Sequence, residues 1–577
     1  MIKYPLMLSR TKTIIIYSSL IFIALAISTF LLIKPIVTTF NLFVQNDDVI
    51  EKSLNAIKVN DELKQAVERK PAVGIDVLHY LININLFPEQ KIIKAEVTLK
   101  IIVDTGAEKI DLDFYDDMNI ESVTVNSKNT KFTRTEKNLS VYLGDSRSDT
   151  ANIKIIYEGT PKSLGFGSFN FPKVGNRKYV YTMNEPIYAS TWLPCIDIPT
   201  DKAFTDIFIT NDSSMVSLSN GKLVNTITNG SRRTYHWKTF YPISTYLIAL
   251  YSADYRTYLQ KYISVEKDTI DLFCYATPKK FEDLKKDFAD HPTYMRVFEE
   301  LFGPYPFAKE KYGLAEFWWN YGAMESQTIT GVGSKYISGH KFFADMLIHE
   351  FAHHWWGNAV SPKSWKDIWL NEGFATYSEA IYFEKKNGFT TLQSTLDSKF
   401  DTFDEGTLYN PIDNLFSRLI YDKGAWVLHM LRKEMGDKVF FSILRKYFEK
   451  FKYGNASTED FKKLCENVSG KNLTHFFKQW IYEGEGIIFC DYDWTSKYVD
   501  SGYQVNLNIE QTQGGFELYK FPVDIKIFYE NGEEPIIVTK YVYNKKESFS
   551  LDITSKPKKI VIDPDKWLLA IFNEKDI

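Results

Sequence analysis

Two histidines four residues apart, with a glutamate directly after the first, form the densest chemical grouping in this sequence: His349-Glu350-Phe351-Ala352-His353. On a helix, positions i and i+4 lie on one face, so both imidazoles can share one Zn²⁺ at about 2.0–2.1 Å. Glu350 then lies beside the metal as a base. With nine histidines in 577 residues, about 0.01 such patterns are expected by chance. The competing reading is a surface helix that carries two histidines and no metal. A third residue sharpens the choice. Eighteen residues separate His353 from Glu372, which lies in a second helical pattern (369–379) with Asn371 near its start. A carboxylate from a neighbouring helix completes a His₂Glu set for one zinc per chain and leaves the fourth position to water. Structural zinc sites are closed and usually rich in cysteine; an open one is catalytic. Zinc lowers the pKa of its water to about 7. Glu350 can then take the water's proton as it attacks a carbonyl, and pass it to the leaving amine.

The elements that must hold these residues follow from the periodicity. A helix is expected over about 342–358, and helical patterning dominates from about 280 to 484, interrupted by the breaker Gly303-Pro304-Tyr305-Pro306. Before it, runs such as 77–86, 94–103 and 151–157 alternate with the period of half-buried strands; after it, 503–509 and 521–529 do the same. The fold class expected is multidomain α+β: an N-terminal antiparallel β domain (72–258), a mainly α zinc catalytic domain (259–485) and a C-terminal β-sandwich (486–577). Residues 41–71 read as a polar stalk closed by Pro71.

Composition sets the outer limits. Apolar residues make up 44% and charged residues 25%, which excludes wholesale disorder, collagen and coiled coil. Lys+Arg 69 against Asp+Glu 73 gives no mark of a nucleic-acid partner. Cys195, Cys274, Cys465 and Cys490 are too few for a disulfide framework and show no CxxC pair. One segment departs from the globular pattern. Ile14 to Ile33 is twenty residues without a charge, long enough to cross a bilayer of about 30 Å as a helix. Lys3, Arg10 and Lys12 precede it, which leaves the N-terminus cytoplasmic and the catalytic domain outside. Residues 1–40 are therefore read as a cytoplasmic stub and transmembrane signal-anchor, with the plasma membrane's bilayer as partner of 14–33. The alternative is a secreted protein cleaved near Ala26, where Ala24-Leu25-Ala26 resembles a small-residue cleavage site.

With its zinc motif the chain resembles the zinc aminopeptidases related to aminopeptidase N and leukotriene hydrolase. HisGluPheAlaHisHisTrpTrpGlyAsnAlaVal (349–360) followed by TrpLysAspIleTrpLeuAsnGluGlyPheAlaThrTyr (365–377) is similar to the family's extended zinc region almost position for position, with His354 where many relatives carry Gln. TyrAspLysGly (421–424) resembles a family segment whose tyrosine hydroxyl faces the oxyanion of the tetrahedral intermediate, which makes Tyr421 the match. Gly322-Ala323-Met324-Glu325-Ser326 resembles the family's Gly-x-Met-Glu-Asn motif. By that resemblance Glu325 grips the substrate's free α-amino group and the Gly322-Ala323 backbone pairs with the substrate chain; Ser326 departs from the usual Asn. The segment 185–203 resembles an Arg-x-x-x-Pro-Cys-x-Asp-x-Pro stretch: Pro194, Cys195, Asp197, Pro199, Lys202 and Ala203 match, while Ser190 replaces the arginine. Glu185 falls where relatives carry Gln or an acidic residue that lines the first side-chain pocket and helps hold the amine. An acidic residue there implies a preference for basic N-terminal residues; the competing reading is a solvated loop carboxylate. The match is strong over roughly 180–485.

The resemblance implies a thermolysin-like catalytic domain and a zinc-dependent aminopeptidase acting on peptides with a free N-terminus. A zinc endopeptidase of the same fold and a non-catalytic peptide-binding surface protein are the alternatives. Many relatives add a long C-terminal helical domain that caps the site. This chain ends before one, so a more open site with looser length selection is expected. Among the remaining candidates, Asn358 and Asp367 could orient a ligand imidazole through its other nitrogen. Glu379, seven residues after Glu372, reads as a supporting carboxylate, and Trp355, Trp356, Trp365 and Trp369 as packing around the metal helices.

Overall fold

The computed structural model describes residues 74–575, except 145–148, 165–167, 412–414 and 501, together with residues 64, 67 and 68. The expected anchor 14–33 lies outside the described residues, as does nearly all of the stalk. Among the described residues no helix is long and apolar enough to cross a membrane.

The alternating runs of the N-terminal part become strands because one face of each is buried and the other is wet. Ile75–Phe87 buries Val77, Tyr80, Ile82, Ile84 and Leu86. It lies inside an eight-stranded sheet between Ile92–Val103, which pairs antiparallel, and Phe204–Asp212. The pairing with Phe204–Asp212 is parallel, with Ile82 opposite Ile207, so the expectation of a wholly antiparallel domain is corrected there. A parallel partner needs a long crossover, and the 116 residues between the two strands supply it with further strands, including a three-stranded sheet of Lys109–Asp113, Asn138–Tyr142 and Phe132–Arg134. A four-stranded sheet orders Val216–Ser219, Leu250–Ala253, Val180–Thr182 and Phe169–Asn170.

The next part opens with a five-stranded mixed sheet: Arg256–Ile263, Thr269–Ala276, Tyr312–Phe317, Ile329–Gly333 and, at the edge, Ala323–Met324. The expected domain boundary after residue 258 falls inside the first of these strands. The helical patterning expected to dominate 280–484 gives way to strands within 312–333. Every residue of Tyr312–Phe317 and Ile329–Gly333 is buried, so these short strands show no alternation in the sequence.

The helices pack against this sheet. Helix α1 (Phe281–Phe288) and helix α2 (His291–Phe302) precede the breaker at Gly303. Helix α3 (Ala344–Ala352) carries the first metal-ligand candidates and α4 (Trp369–Asn387) the third. Helix α5 (Phe389–Asp397), α6 (Gly424–Met435), α7 (Asp437–Phe451) and α8 (Thr458–Ser469) follow. Helix α8 begins with a capping box in which Ser457 and Asp460 exchange side-chain and backbone hydrogen bonds. Behind α3 lies an aromatic core of Phe298, Phe302, Tyr305, Phe351 and Trp355, with ring centroids 5.2–6.4 Å apart. Ring pairs at such separations add about 0.5–1.5 kcal/mol beyond their burial.

From Ile488 onward the chain forms a four-stranded sheet (Lys546–Ile553, Gly502–Gln511, Ile488–Val499, Ala570–Glu574) and a three-stranded one (Ile536–Val542, Phe521–Tyr529, Pro557–Ile562). Val505, Leu507, Ile509, Val523, Ile525 and Ile527 are buried along them. Trp567 ties this part to α6: its ring stacks on His429 at 4.5 Å between centroids and lies beneath the Arg432 guanidinium.

Candidate active site

Helix α3 is shorter than expected, ending at Ala352 rather than near 358. His353 is its last helical turn, and the chain then folds back through Gly357 at φ +111°. A Cβ at Gly357 would lie 3.2 Å from Asn371 Nδ2 and 3.3 Å from His353 Nδ1, so only glycine lets the loop close over that ring. The closure serves the site: Trp356 O accepts from His353 Nδ1 at 2.9 Å.

The other ring nitrogens converge. His349 Nε2 and His353 Nε2 are 2.9 Å apart, and Glu372 Oε2 lies 3.3 and 3.4 Å from them. A tetrahedron with bonds of 2.0–2.1 Å has edges of about 3.3 Å. The three donors therefore fit a tetrahedral Zn²⁺ with one position left over. Each histidine is fixed through its second nitrogen, as metal-binding imidazoles commonly are. For His349 that partner is Glu379 Oε1, at 2.8 Å. Asn358 and Asp367 do not play this part. Asn358 Nδ2 donates to Glu325 O at 2.7 Å, and Asp367 Oδ1 accepts from the amide and hydroxyl of Thr458, both at 2.8 Å. Asn358 is thus turned to the Glu325 backbone and Asp367 to the start of α8.

Four carboxylates share this buried space. Ligand atoms of Glu185, Glu325 and Glu372 lie within 4.8 Å of one another, as do those of Glu325, Glu350 and His353. Glu185, Glu325 and Glu350 are each less than a tenth exposed, and each keeps one oxygen without a hydrogen-bond partner among the described residues. Burial pushes the Glu350 carboxyl up to about 8; Glu325 and Glu372 add to this while the two imidazoles oppose it. Burial and the neighbouring acids likewise raise Glu185. Burial also acts on Glu372, but His353 and His349 overcome it and hold its carboxyl down at about 2. The set thus contains one ionised carboxylate paired with the imidazoles and others with no ion-pair partner among the described residues.

Tyr421 lies on a single π-helical turn, Leu419–Lys423, just before α6. Such turns inside helices recur at functional sites. Its ring stacks on that of His349, with centroids 5.7 Å apart and planes 21° from parallel. The turn can approach because Gly424 abuts Gly373 of α4: a Cβ on either would lie 2.8–2.9 Å from the other's Cα. Lys423 Nζ anchors it by donating to Gly484 O at 2.8 Å.

Ala323–Met324 is the edge strand of its sheet, so one side of its backbone lies outside the ladder, and Gly322 precedes it at φ +136°. Ser326 is buried with its hydroxyl 3.0 Å from that of Tyr251. His354, beside a ligand in sequence, turns away: its Nε2 accepts from Thr328 N at 3.1 Å, and burial holds the ring neutral. Lys202, half-buried, donates to Asn358 O at 3.0 Å and Ala359 O at 3.2 Å, tying the N-terminal segment to the loop after α3. Cys195 is buried and forms no disulfide.

Two family models match this chain. The Peptidase M1 N-terminal domain covers residues 77–247, and the Peptidase family M1 domain covers 288–480, which includes His349, His353, Glu372 and Tyr421. The chain belongs to the M1 peptidase family. Probable aminopeptidase 2 of Sulfurisphaera tokodaii is 24% identical to this M1 chain, over 79% of the chain and 59% of the relative. Aminopeptidase M1-D of Oryza sativa subsp. japonica is 31% identical, over 52% and 36%. The M1 chain thus spans about three-fifths or less of the length of these curated relatives. Among solved structures, Legionella pneumophila aminopeptidase A superposes with a TM-score of 0.76 at 18% identity, covering 89% of this chain and 61% of that one. An M1 zinc metallopeptidase from Deinococcus radiodurans gives 0.63 at 23%, covering 72% and 95%. At these identities the two structures establish the M1 chain's fold.

The residues singled out in the sequence, His349, Glu350, His353, Glu372, Glu325, Glu185 and Tyr421, come together here; the carbonyl of Trp356, the closing role of Gly357 and the Gly373–Gly424 contact were not read from it. The first two belong to a turn whose geometry depends on what packs around it. Glu379 was legible only as a carboxylate on the same face of α4 as Glu372.

Proposed function

We propose that this chain is a zinc-dependent aminopeptidase that removes N-terminal residues from peptides. The observation that carries the reading is the meeting of a His₂Glu metal set with cation-free buried carboxylates of Glu325 and Glu185, within 4.8 Å of Glu372. A metal centre that activates water, beside a receptor for an ammonium, directs hydrolysis to the first peptide bond. The curated relatives of matching sequence are named aminopeptidases, and a Deinococcus radiodurans structure in this fold was determined with a Tyr-Ser-Ala substrate. Both support the reading.

His349, His353 and Glu372 would hold Zn²⁺, which supplies Lewis acidity, making water acidic near pH 7 and polarising the scissile carbonyl. Glu350, beside the metal set, takes the water's proton and delivers it to the departing amine. Tyr421 donates its phenolic hydrogen to the carbonyl oxygen as negative charge develops there. Glu325 and Glu185 accept the substrate's ammonium in charge-assisted hydrogen bonds, and Glu185 favours a basic first residue. The edge strand at Gly322-Ala323 extends by pairing with the substrate backbone.

The test is hydrolysis of aminoacyl fluorogenic amides by the full chain, with and without a chelator, beside Glu350→Gln. Chelation should abolish activity and zinc should restore it. Glu350→Gln should keep its zinc and lose at least about a hundredfold in kcat. Chelator-insensitive turnover, or a fully active Glu350→Gln, would contradict the reading. We further propose that the twenty uncharged residues 14–33 anchor the chain in the plasma membrane with the catalytic part outside. Their length and the preceding Lys3, Arg10 and Lys12 support this. Extraction of the full chain by alkaline carbonate alone, without detergent, would refute it.

A further inference from the structure

Lys399 lies outside everything the mechanism uses. It follows helix α5 by two residues, in a segment with no motif and no helical or strand period. Its ammonium is largely shielded, with a side-chain exposure of 18%, and meets Glu379 Oε2 at 2.9 Å. The other oxygen of the same carboxylate, Oε1, is the partner of His349 Nδ1 at 2.8 Å. Glu379 is itself buried. Its two oxygens are thus divided between a cation and an imidazole, and a carboxylate held at both oxygens cannot rotate without breaking one of them. The chain of contacts runs from Lys399 through Glu379 to His349, whose far nitrogen faces Glu372 and His353.

The surroundings show why a cation is needed there. Asp422, in the turn that carries Tyr421, and Asp345, in the first turn of α3, also act on Lys399. Asp422 has a second cation, Arg418, whose Nε lies 2.9 Å away, while Arg418 Nη1 reaches Asp401 at 2.8 Å. Burial works against the Lys399 ammonium, but Glu379 and Asp422 outweigh it and hold it charged. Without Lys399, Glu379 would be a buried carboxylate facing two more acids. Leaving one member of a buried pair uncompensated is costly, and the side chain would leave its place to reach solvent or another cation. The His349 ring would lose its support.

We propose that Lys399 is a positioning residue for the metal centre: it pins the Glu379 carboxylate so that His349 is presented to zinc in a fixed orientation. It touches neither metal nor substrate. The inference rests on reading His349 as a zinc ligand.

The test is the zinc dissociation constant of the full chain, measured by competition with a chelating zinc indicator. The variants are Lys399→Met, Lys399→Arg, Glu379→Gln and the double variant Lys399→Met/Glu379→Gln. Partners of this kind are worth roughly 10–100-fold in metal affinity. Lys399→Met should weaken zinc binding by about that factor, and Lys399→Arg should largely restore it. In the Glu379→Gln background, where no charge remains to be held, adding Lys399→Met should change the constant by less than about twofold. That double variant leaves no uncompensated carboxylate at 379, so it keeps the comparison available if Lys399→Met fails to fold. Zinc binding unchanged in Lys399→Met, or a loss of the same size in both backgrounds, would overturn the proposal. Absence of zinc binding by the unmodified chain would instead overturn the metal-site reading beneath it.

Discussion

His349 is addressed through both ring nitrogens and across one ring face, by Glu379, the Glu372–His353 pair and Tyr421. The phenol is the most testable of these neighbours. Burial raises the pKa of Tyr421 well above the usual tyrosine value, and Glu372, Glu185, Glu325 and Glu350 add to it. It therefore stays protonated, a donor, throughout the working pH range. Tyr421→Phe keeps the ring and removes only the donor. Steady-state kinetics should show kcat lowered by about 10²–10³, with zinc content unchanged; a rise in KM alone would contradict a donor that acts in the transition state. At this scale the sequence was informative wherever chemistry follows local spacing. His349 and Glu350 lie on α3 and His353 caps its end, all within five consecutive positions, and Glu372 lies on α4. Lys399 was invisible because its pairing with Glu379 runs through space across twenty residues, and lysine in a loop is ordinarily solvated.

Helices α4 and α6 meet at two glycines, and that contact sets where the turn of Tyr421 lies above the metal ligands. Gly424→Ala would drive a Cβ to 2.8 Å from the Gly373 Cα, a backbone clash with no flexible side chain to absorb it. Such overpacking costs about 1–3 kcal/mol. A lowered unfolding midpoint together with reduced kcat and retained zinc is expected, whereas an unchanged melting temperature and kcat would show that this approach does not matter. Element types were legible where one face is wet: Ile75–Phe87 and Gly502–Gln511 alternate and are strands. They were not legible in Tyr312–Phe317 and Ile329–Gly333, where both faces are covered and no alternation marks a strand. The true end of α3 was hidden for another reason. No proline marks the end within 353–358; Gly357, at φ +111°, turns the chain there, and His353 Nδ1 donates to Trp356 O.

Over the whole molecule, the N-terminal sheets contribute directly to the site. Glu185 comes from them, and Lys202 spans from them to the loop after α3. Just before Lys202, Asp201 is buried with one oxygen accepting from Val77 N at 3.0 Å and the other without a partner among the described residues. Burial, with Asp76 adding, pushes its carboxyl up to about 7. The folded chain then holds a proton that the unfolded chain releases near pH 4. Stability from this group falls as pH rises through that window, and the loss is complete above pH 7. Asp201→Asn removes the ionisation, so its urea midpoint should gain on the unmodified chain between pH 4 and pH 8, by an upper bound of about 4 kcal/mol. A pH-independent difference would show that Asp201 ionises normally. The broad plan, β domain then zinc domain then terminal strands, was readable from the change of period along the chain. The parallel join of Ile75–Phe87 to Phe204–Asp212 was not, because pairing partners far apart in sequence leave no periodic trace. What this architecture assembles is a His₂Glu set beside further buried carboxylates, which on the proposed reading hold zinc and receive the substrate's ammonium. The most direct measurement is therefore the rate at which the zinc-loaded full chain cleaves one peptide with a free N-terminus and the same peptide N-acetylated. Cleavage of the first bond of the free peptide, with the acetylated form slower by at least about a hundredfold, is the expected result; equal rates, or cleavage at internal bonds of both, would contradict an aminopeptidase.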